Sequence, residues 1–586
     1  MRTSALQYLY LQKPITMAVI ICIISVLPWI GLSDFATKGE PREASVAISM
    51  LESGNWILPQ VYANEFAYKP PMAHWLMAIA SYPQGYVSEF TARLPSAIAF
   101  TIMIGFILIF LGKRVRFQEA FIATLMLITS IELHRAAMTT RVDMILTAFI
   151  VLALIQLYRW EEKLELKGLP VMIPLLLSGA ILTKGPVGVV LPLFLFGTYL
   201  LVLQKYSLVK IIRTLCYAFI SSLFLPALWY IAAWKQGGDN FLNVMLAENF
   251  GRFFHLDVPK INYALGHDNN FLHNFQTLAI GFIPWTLFFL FSLVGLKITW
   301  AKQSIRTTVI ETWKRIQDMP KPYLFSLVAI FCIILFYSIP SSKRSVYLLP
   351  VYPFIALYLA KYAIYVTEYR TKVTRIFAAF LISVTTTAFI GLALVSTQLI
   401  SLKALITNFT NKPSVLAQIA SIEEALTVPT IKNNCIILFL FFILLVCFYQ
   451  MSKKNNIKIL YATIALTFAV HLVIDGIVLP AIRKCSSSKI FVERLKTEHN
   501  ISEHRAYVMN DLRTYRNMYG LNFYLGNNFR NFEAEQPTEG LLFVVASNLP
   551  ILQQNYPTYT FDVVDESDYI ISEVRNKILL TRISKK

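Results

Sequence analysis

The sequence carries little charge for its length. Charged residues occupy 15% of its 586 positions, 56% are hydrophobic, and the mean hydropathy is +0.56. An ordinary soluble domain carries about 25% charged residues. This composition excludes a wholly soluble protein and indicates that lipid surrounds most of the chain.

Cysteine is also scarce, with six residues spread far apart. They form no Cys-x-x-Cys pair, and five lie within or at the edge of apolar runs, so the spacing gives no disulfide framework. The sequence also shows no internal repeat of fixed period and no low-complexity segment. These absences exclude cysteine-stapled secreted folds and repeat architectures.

Long apolar runs and positive charge are abundant. The formal net charge is +19, and the basic residues recur in short loops between apolar segments. That distribution is typical of membrane topology and excludes a nucleic-acid footprint. A span requires roughly 20 apolar residues, which predicts thirteen transmembrane segments: 15–33, 94–112, 118–134, 143–158, 169–183, 186–204, 211–234, 278–297, 322–339, 347–364, 376–400, 434–451 and 459–481.

Every second loop is rich in Lys and Arg, and cytoplasmic loops show this enrichment. Those loops and the N-terminus are therefore predicted inside. The first apolar run lacks an Ala-x-Ala cleavage site and is predicted to be a retained span. The outer side then receives loops 34–93, 235–277 and 401–433 and the tail from residue 483.

The chain is predicted to contain two domains. Residues 1–482 form a transmembrane domain, and residues 483–586 bring back charge and turn residues around short β-like runs at 541–545 and 578–580. This pattern predicts a small α/β domain on the outer side.

The first outer loop concentrates polar and aromatic residues. It contains GEPREA at 39–44 and YKPPMAHW at 68–75, and the interleaving of charged and aromatic residues suits helices lying on a membrane surface. Any single charge here is equally well explained as a solvated surface group. Glu40, Arg42 and Lys69 together favour a functional site.

These motifs carry a resemblance. The order GEPREA, MLESGNWILP, YKPPMAHW and EFTARLPSA resembles the C-type glycosyltransferases of the aminoarabinose (lipid A) transferase branch, relatives of the protein O-mannosyltransferases. The likeness covers about residues 35–365 and continues with the segments 141–144, 183–188, 248–253, 284–285 and 341–347. It implies a polytopic α-helical membrane protein with about thirteen transmembrane helices, the C-type glycosyltransferase fold and a small periplasmic α/β C-terminal domain.

The resemblance also implies an activity. Such an enzyme moves a monosaccharide, here aminoarabinose-like, from an undecaprenyl phosphate or other polyprenyl-phosphate carrier to lipid A or a related glycolipid. It works in the bacterial inner membrane, with its active site on the periplasmic side, as part of lipopolysaccharide modification. We expect a single displacement with inversion.

The charged residues of the outer loops suit that chemistry. The leaving phosphate must be stabilised by fixed cations and hydrogen-bond donors. The candidates for binding the phosphate or the donor are Arg42, Lys69, Lys184, Arg252, Lys343 and Tyr347. Lys184 is equally well explained as a lysine that snorkels to the membrane surface.

Two carboxylates, Glu40 and Asp143, are the catalytic candidates. Members of the family usually carry an acidic pair in the first loop, and here the leading position is Gly39, which leaves Glu40 alone. A hydroxyl acceptor would need Glu40 as a general base, whereas a phosphate acceptor is already ionised. Asp143 is either a catalytic carboxylate or one half of an Arg141–Asp143 pair that only fastens a helix end, and both interpretations stay open.

No metal or other cofactor is expected to be required. His255, His267 and His273 with Asp257 and Asp268 lie in an outer loop where a divalent ion could bind, but their spacing matches no ligand pattern that would support it. His471 and Asp475, four residues apart in the last span, favour an interhelical hydrogen bond over a metal or proton relay.

Three other classes compete with this reading. A secondary transporter would show internal repeats and broken helices that meet at the midplane, and a scaffold would not need cations from four separate loops. A protein O-glycosyltransferase with the same donor but a hydroxyl acceptor stays open. The partners expected are the polyprenyl-phosphate sugar, a lipid A-like acceptor and membrane lipids, with no nucleic acid.

The alternation of basic loops predicts the topology. In a cysteine-free background, a single cysteine near Asn64 or Gly526 should react with an impermeant thiol reagent added outside, whereas one near Gln303 should not. Protection of the Gly526 position in intact spheroplasts would contradict the outer location of the tail.

Overall fold

A computed structural model describes residues 12–248 apart from 64 and 68, residues 269–294 apart from 271, and residues 305–586 apart from 341, 502–505, 512–513 and 516. Seven helices within these ranges are long and apolar enough to cross a membrane. They are Glu89–Gly112, Val142–Leu164, Lys321–Ser338, Ser345–Tyr369, Thr371–Ser396, Ile431–Lys453 and Asn456–Lys484.

Further apolar helices occupy the other predicted spans. Three bent pairs would raise the number of spans to ten, namely Phe117–Ile128 with Ile131–Ala137, Leu208–Ser222 with Phe224–Leu246, and His273–Gly281 with Trp285–Leu293. Three shorter apolar helices are Pro14–Val26, Met172–Lys184 and Val187–Leu203. The polytopic helical fold is therefore as predicted, and the count of thirteen crossings stays a prediction.

The loops between these helices contain helices of their own. The first outer loop folds into helices Gly39–Ser53 and Met72–Ser81, joined through a two-stranded antiparallel sheet of β1 (Gln60–Val61) and β2 (Glu65–Phe66). Later loops contain Ile305–Gln317, Leu402–Thr407 and Pro413–Thr427. The helix Gly39–Ser53 is largely buried, because one face packs on membrane helices and another on the tail.

The tail forms a mixed sheet covered by short helices. Its strands are β3 (Tyr507–Val508), β4 (Arg530–Asn531), β5 (Glu539–Val545), β6 (Tyr559–Glu566) and β7 (Ile578–Lys585), in the order β4-β3-β5-β7-β6. β3 runs parallel to β4 and β5, and β7 runs antiparallel to β5 and β6. The runs predicted as strands lie within β5 and β7. The helices are Lys489–Glu498, Tyr519–Tyr524, Phe532–Glu535 and Leu549–Asn555.

The first outer loop inserts an aromatic side chain into the tail. Tyr62 is 1% exposed and its ring centroid lies 4.8 Å from that of Tyr519 and 5.5 Å from that of Phe529. Its hydroxyl accepts a hydrogen bond from the backbone N–H of Met518 at 3.0 Å. The tail is thereby held against the loop that contains Glu40, Arg42 and Lys69.

Charged contacts support the same junction. The ammonium of Lys489 lies 3.3 Å from the carboxylate of Asp34 and 3.0 Å from that of Glu89. The Tyr524 hydroxyl donates to Glu89 at 3.0 Å and accepts from the backbone N–H of Phe35 at 2.9 Å. Both ends of the first outer loop are therefore tied to the tail.

Tyr62→Ala should loosen this junction. Loss of a buried aromatic side chain costs about 3–5 kcal/mol, so the tail should become sensitive to limited proteolysis in detergent while the membrane helices stay protected. Tyr62→Phe keeps the ring and should retain most of the protection, and Tyr86→Ala, on an exposed side chain, should behave as the unmodified protein. A Tyr62→Ala tail that resists protease as well would contradict this role.

Candidate active site

Glu40 is held inside a buried ion-pair network. Its carboxylate is 2.8 Å from Arg93 and 3.5 Å from Arg483, and it accepts the backbone N–H of Thr140 at 3.1 Å. Arg93 also donates to the carbonyl groups of Ile30 at 2.7 Å and Ser33 at 2.6 Å. Glu40 therefore joins several helices at their ends.

The electrostatics of Glu40 match this role. Burial raises its pKa, but the charges of Arg93 and Arg483 outweigh burial and hold the pKa of Glu40 below its usual range. Only 1% of the residue is exposed. A carboxylate so enclosed and so fully bonded has little room to accept a proton from a substrate.

Glu43, one turn further along the same helix, occupies a different setting. Its carboxylate lies 2.5 Å from the ammonium of Lys69, 3.3 Å from the guanidinium of Arg42 and 2.9 Å from His74 Nε2. Arg42 also lies 5.9 Å from the ring centroid of Tyr519 in the tail. Cations from the helix and from the following loop thus converge on one buried carboxylate.

The charges of this cluster shift each other's pKa values. Burial raises the pKa of Glu43, yet Lys69, His74 and Arg42 bring it well below the usual value. Burial lowers the pKa of Lys69 to about 8, opposed by Glu43 and Asp143, which raise it, and reinforced by Arg42. Lys69 is therefore a cation whose charge is lost just above neutral pH.

Asp143 lies in the first turn of the helix Val142–Leu164 and pairs with Lys184 rather than with Arg141. Its carboxylate is 2.5 Å from the Lys184 ammonium, which lies 4.1 Å from the ring centroid of Tyr347. Lys184, for which the sequence left phosphate binding and snorkelling equally open, forms an ion pair between two helix ends. Because Asp143 also acts on the pKa of Lys69, the two ion-paired groups form one cluster.

Two predicted site residues, Lys343 and Arg252, are not part of this cluster of ion pairs in the described residues. The Lys343 ammonium donates to the backbone carbonyl groups of Pro340 at 2.8 Å and Asn269 at 3.3 Å. Arg252 lies outside the described residues, as do His255, His267, Asp257 and Asp268. The structure therefore brings together Arg42, Lys69, Asp143, Lys184 and Tyr347, and their roles stay predictions.

Sequence reasoning missed Glu43 and His74. The signal was available, because Glu40 and Glu43 are three residues apart and lie on neighbouring turns of one helix. The network around Glu40 was also missed, since Arg93 and Arg483 are distant in sequence. Only the fold shows that Glu40 pairs with Arg93 and Arg483 while Glu43 pairs with Lys69.

The pair in the last span is bonded differently from the expectation. Asp475 lies within a π-helical turn, Ile474–Val478, and its carboxylate is 2.7 Å from Nε2 of His134. The ring of His471 packs against that of His134, with centroids 4.5 Å apart. The interhelical hydrogen bond is therefore present, but it joins Asp475 to His134.

Among the described residues, one group of three has metal-ligand spacing: Glu498, His499 and Asp565 in the tail. Asp565 is already paired with Arg494 at 2.9 Å. The group is remote in sequence from the cluster around Glu43. That no metal ion is required stays a prediction from the sequence.

Comparison with known proteins supports the resemblance. Residues 68–230 match the family model described as dolichyl-phosphate-mannose-protein mannosyltransferase. The chain is 23% identical over 346 residues to an undecaprenyl phosphate-alpha-4-amino-4-deoxy-L-arabinose arabinosyl transferase of Proteus mirabilis, covering 58% of this chain and 57% of that one. It is 24% identical over 371 residues to the arabinosyl transferase of Shewanella sediminis, covering 62% of each chain.

An uncharacterized protein of Aquifex aeolicus is 28% identical over 339 residues, or 57% of this chain and 60% of that one. The chain thus spans about 60% of the length of the curated relatives that it matches. The crystal structure of ArnT from Cupriavidus metallidurans bound to undecaprenyl phosphate has a TM-score of 0.68 at 14% identity and 98% coverage of both chains.

The apo structure of the same protein gives a TM-score of 0.68 at 15% identity, covering 99% of this chain and 98% of that one. These likenesses to solved structures show the fold. The family model and the curated relatives show in addition that the chain is similar in sequence to the aminoarabinose transferases and to the protein mannosyltransferases.

Proposed function

We propose that the protein transfers an aminoarabinose-like monosaccharide from undecaprenyl phosphate, or a similar polyprenyl-phosphate carrier, to lipid A or a related glycolipid. We further propose that it acts at the outer face of the bacterial inner membrane. The observation that carries the proposal is the cluster of Lys69, Lys184 and Arg42 around Glu43 and Asp143 at the membrane helix ends.

The proposed reaction breaks the bond between the anomeric carbon of the sugar and the carrier phosphate. The new bond forms between that carbon and an oxygen of the acceptor, and polyprenyl phosphate leaves with the negative charge. Lysine and arginine side chains fixed near the leaving oxygen stabilise that charge as it grows. Apolar helices beside the cluster supply the lipid surroundings that the carrier tail needs.

Glu43 is the first-loop carboxylate that we propose for the site. Its contacts with Lys69 and His74 favour a role in holding the cationic side chains in place, whereas the contacts of Glu40 favour a role in assembly. A phosphate acceptor is already ionised and needs no base. The carboxylates Glu43 and Asp143 then position the lysines and neutralise part of their mutual repulsion.

A second candidate is transfer to a protein hydroxyl group with the same type of donor. It is favoured by the family model, whose description names protein mannosyltransferases. In that reaction the acceptor oxygen must lose a proton as it attacks, and a carboxylate must take it. The acceptor distinguishes the two reactions: lipid A and a serine- or threonine-containing peptide can be offered to the same purified protein with one labelled donor.

Lys69→Ala should lower sugar transfer to lipid A by about 100- to 1,000-fold, because removing one fixed donor to a developing oxyanion has an effect of this size. Arg252→Ala should act similarly, and Lys412→Ala, on an exposed lysine of another outer loop, should keep normal transfer. Near-normal transfer by both Lys69→Ala and Arg252→Ala would contradict the proposed phosphate-binding site.

The dependence of kcat/KM on pH should follow the charge of Lys69. Lys69 has a pKa of about 8, so it is charged below that pH and loses its charge above it. The kcat/KM for the donor, which follows the free protein, should fall as the pH rises through about 8. Lys69→Arg should abolish that fall, and an unchanged profile in Lys69→Arg would show that another group titrates.

Glu43→Gln and Glu40→Gln should show which of the two carboxylates acts in the active site and which one stabilises the fold. Glu43 raises the pKa of Lys69, so Glu43→Gln should move the alkaline fall in kcat/KM to lower pH while the protein stays folded. Glu40→Gln breaks a buried ion pair, which costs about 3–5 kcal/mol, and should lower the Tm and yield with the pH profile unmoved. A shifted pH profile in Glu40→Gln together with a lowered Tm in Glu43→Gln would contradict this assignment and favour Glu40 as the active-site carboxylate.

A further inference from the structure

Arg141 presents a guanidinium that forms no ion pair or hydrogen bond with a side chain of the described residues, although its charge acts at longer range on Asp143. Its guanidinium makes no hydrogen bond and has no carboxylate within 4.0 Å in the parts of the chain that the structure describes. Asp143, the nearest acidic residue in sequence, is bonded to Lys184 at 2.5 Å. The Arg141–Asp143 pair considered from the sequence is therefore not formed.

We propose that Arg141 binds a phosphate group of a substrate, and that Gly39 keeps its guanidinium open to that ligand. This proposal rests on the proposed function and extends it to a residue and to a glycine that the resemblance left unexplained. The phosphate belongs either to the polyprenyl carrier or to the glycolipid acceptor, and both offer the same chemistry.

The position of Gly39 supports this role. A Cβ atom at residue 39 would lie 3.0 Å from Nη2, 3.3 Å from Cζ and 3.4 Å from Nε of Arg141. The guanidinium thus lies against the bare backbone at the start of the helix Gly39–Ser53. Any side chain at residue 39 would press on the guanidinium, and an acidic one would neutralise it.

The backbone of Arg141 is held at both neighbouring points. The N–H of Thr140 donates to Glu40 at 3.1 Å, and the Ser96 hydroxyl donates to the carbonyl of Arg141 at 3.4 Å. Arg141 then forms the extended N-cap of the helix Val142–Leu164. These bonds therefore fix the backbone of Arg141, two residues before Asp143 of the Asp143–Lys184 pair.

Phosphate suits this guanidinium better than other substrate groups do. Arginine donates two parallel hydrogen bonds to phosphate oxygens and keeps its charge at every accessible pH. Arg141 is half-buried, and a partly desolvated cation is stabilised when a ligand brings the opposite charge. An unpaired guanidinium here thus favours anion binding over a purely structural role.

Binding measurements test the proposal without depending on turnover. Purified protein in detergent is titrated with undecaprenyl phosphate and, separately, with lipid A and its dephosphorylated form. Arg141→Gln should weaken binding of one phosphorylated ligand by about 10- to 100-fold, the usual effect of losing a hydrogen bond to a charged group. Arg582→Gln, on an exposed arginine of β7, should bind both ligands normally.

The two ligands identify the source of the phosphate. Weaker undecaprenyl phosphate binding assigns Arg141 to the donor, and weaker lipid A binding with unchanged binding of the dephosphorylated form assigns it to the acceptor. Gly39→Asp should weaken binding of the same ligand as Arg141→Gln does. Gly39→Asn, whose side chain has the shape of Asp without its charge, should weaken that binding less. The double variant Gly39→Asp with Arg141→Gln should bind no worse than Arg141→Gln.

Unchanged binding of both phosphorylated ligands by folded Arg141→Gln protein would overturn the proposal. Tighter binding or faster transfer by Gly39→Asp would also overturn it, because an acidic residue would then improve the site. If the unmodified protein binds both ligands but transfers no sugar, the proposed function fails and the assignment of Arg141 is still decided by the titrations.

Discussion

The Glu40 carboxylate lies out of reach of water between two guanidinium groups and a backbone N–H, and the rest of the site is arranged around it. Arg93 links it to the carbonyl groups that follow the first apolar helix, and Arg483 links it to the end of the last one. Thr140 fixes the residues that lead into Asp143. Because a buried carboxylate is unfavourable unless it is paired, this network holds the helix ends in one arrangement.

From that arrangement the site follows by helix geometry. Glu43 is one turn after Glu40 and therefore lies beside the loop that supplies Lys69. The tail covers the same region, since Tyr62 is embedded in it and Tyr519 lies near Arg42. The cluster is thus built by segments far apart in sequence, and cations outnumber the carboxylates that separate them.

Much of the fold was predictable, because apolar runs of about 20 residues and alternating basic loops reflect the two demands that a bilayer makes. The cations were predictable in kind: Lys69 and Lys184 were candidates, and they share a cluster. Pairing was not. Sequence alone cannot tell that Glu40 pairs with Arg93 and Arg483 while Glu43 pairs with Lys69, because such partners meet only through tertiary packing. For the same reason it cannot tell that Asp143 bonds to Lys184 and not to Arg141. The His134–Asp475 bond was missed for the same reason.

The central claim is that this arrangement serves a phosphate-bearing glycolipid acceptor. The most direct measurement is mass analysis of lipid A and of periplasmic glycoproteins from cells with and without the gene. The account predicts that a single sugar residue on lipid A is lost with the gene, while the glycoproteins keep their masses. Unchanged lipid A together with loss of sugar from the glycoproteins would contradict it and establish a protein acceptor.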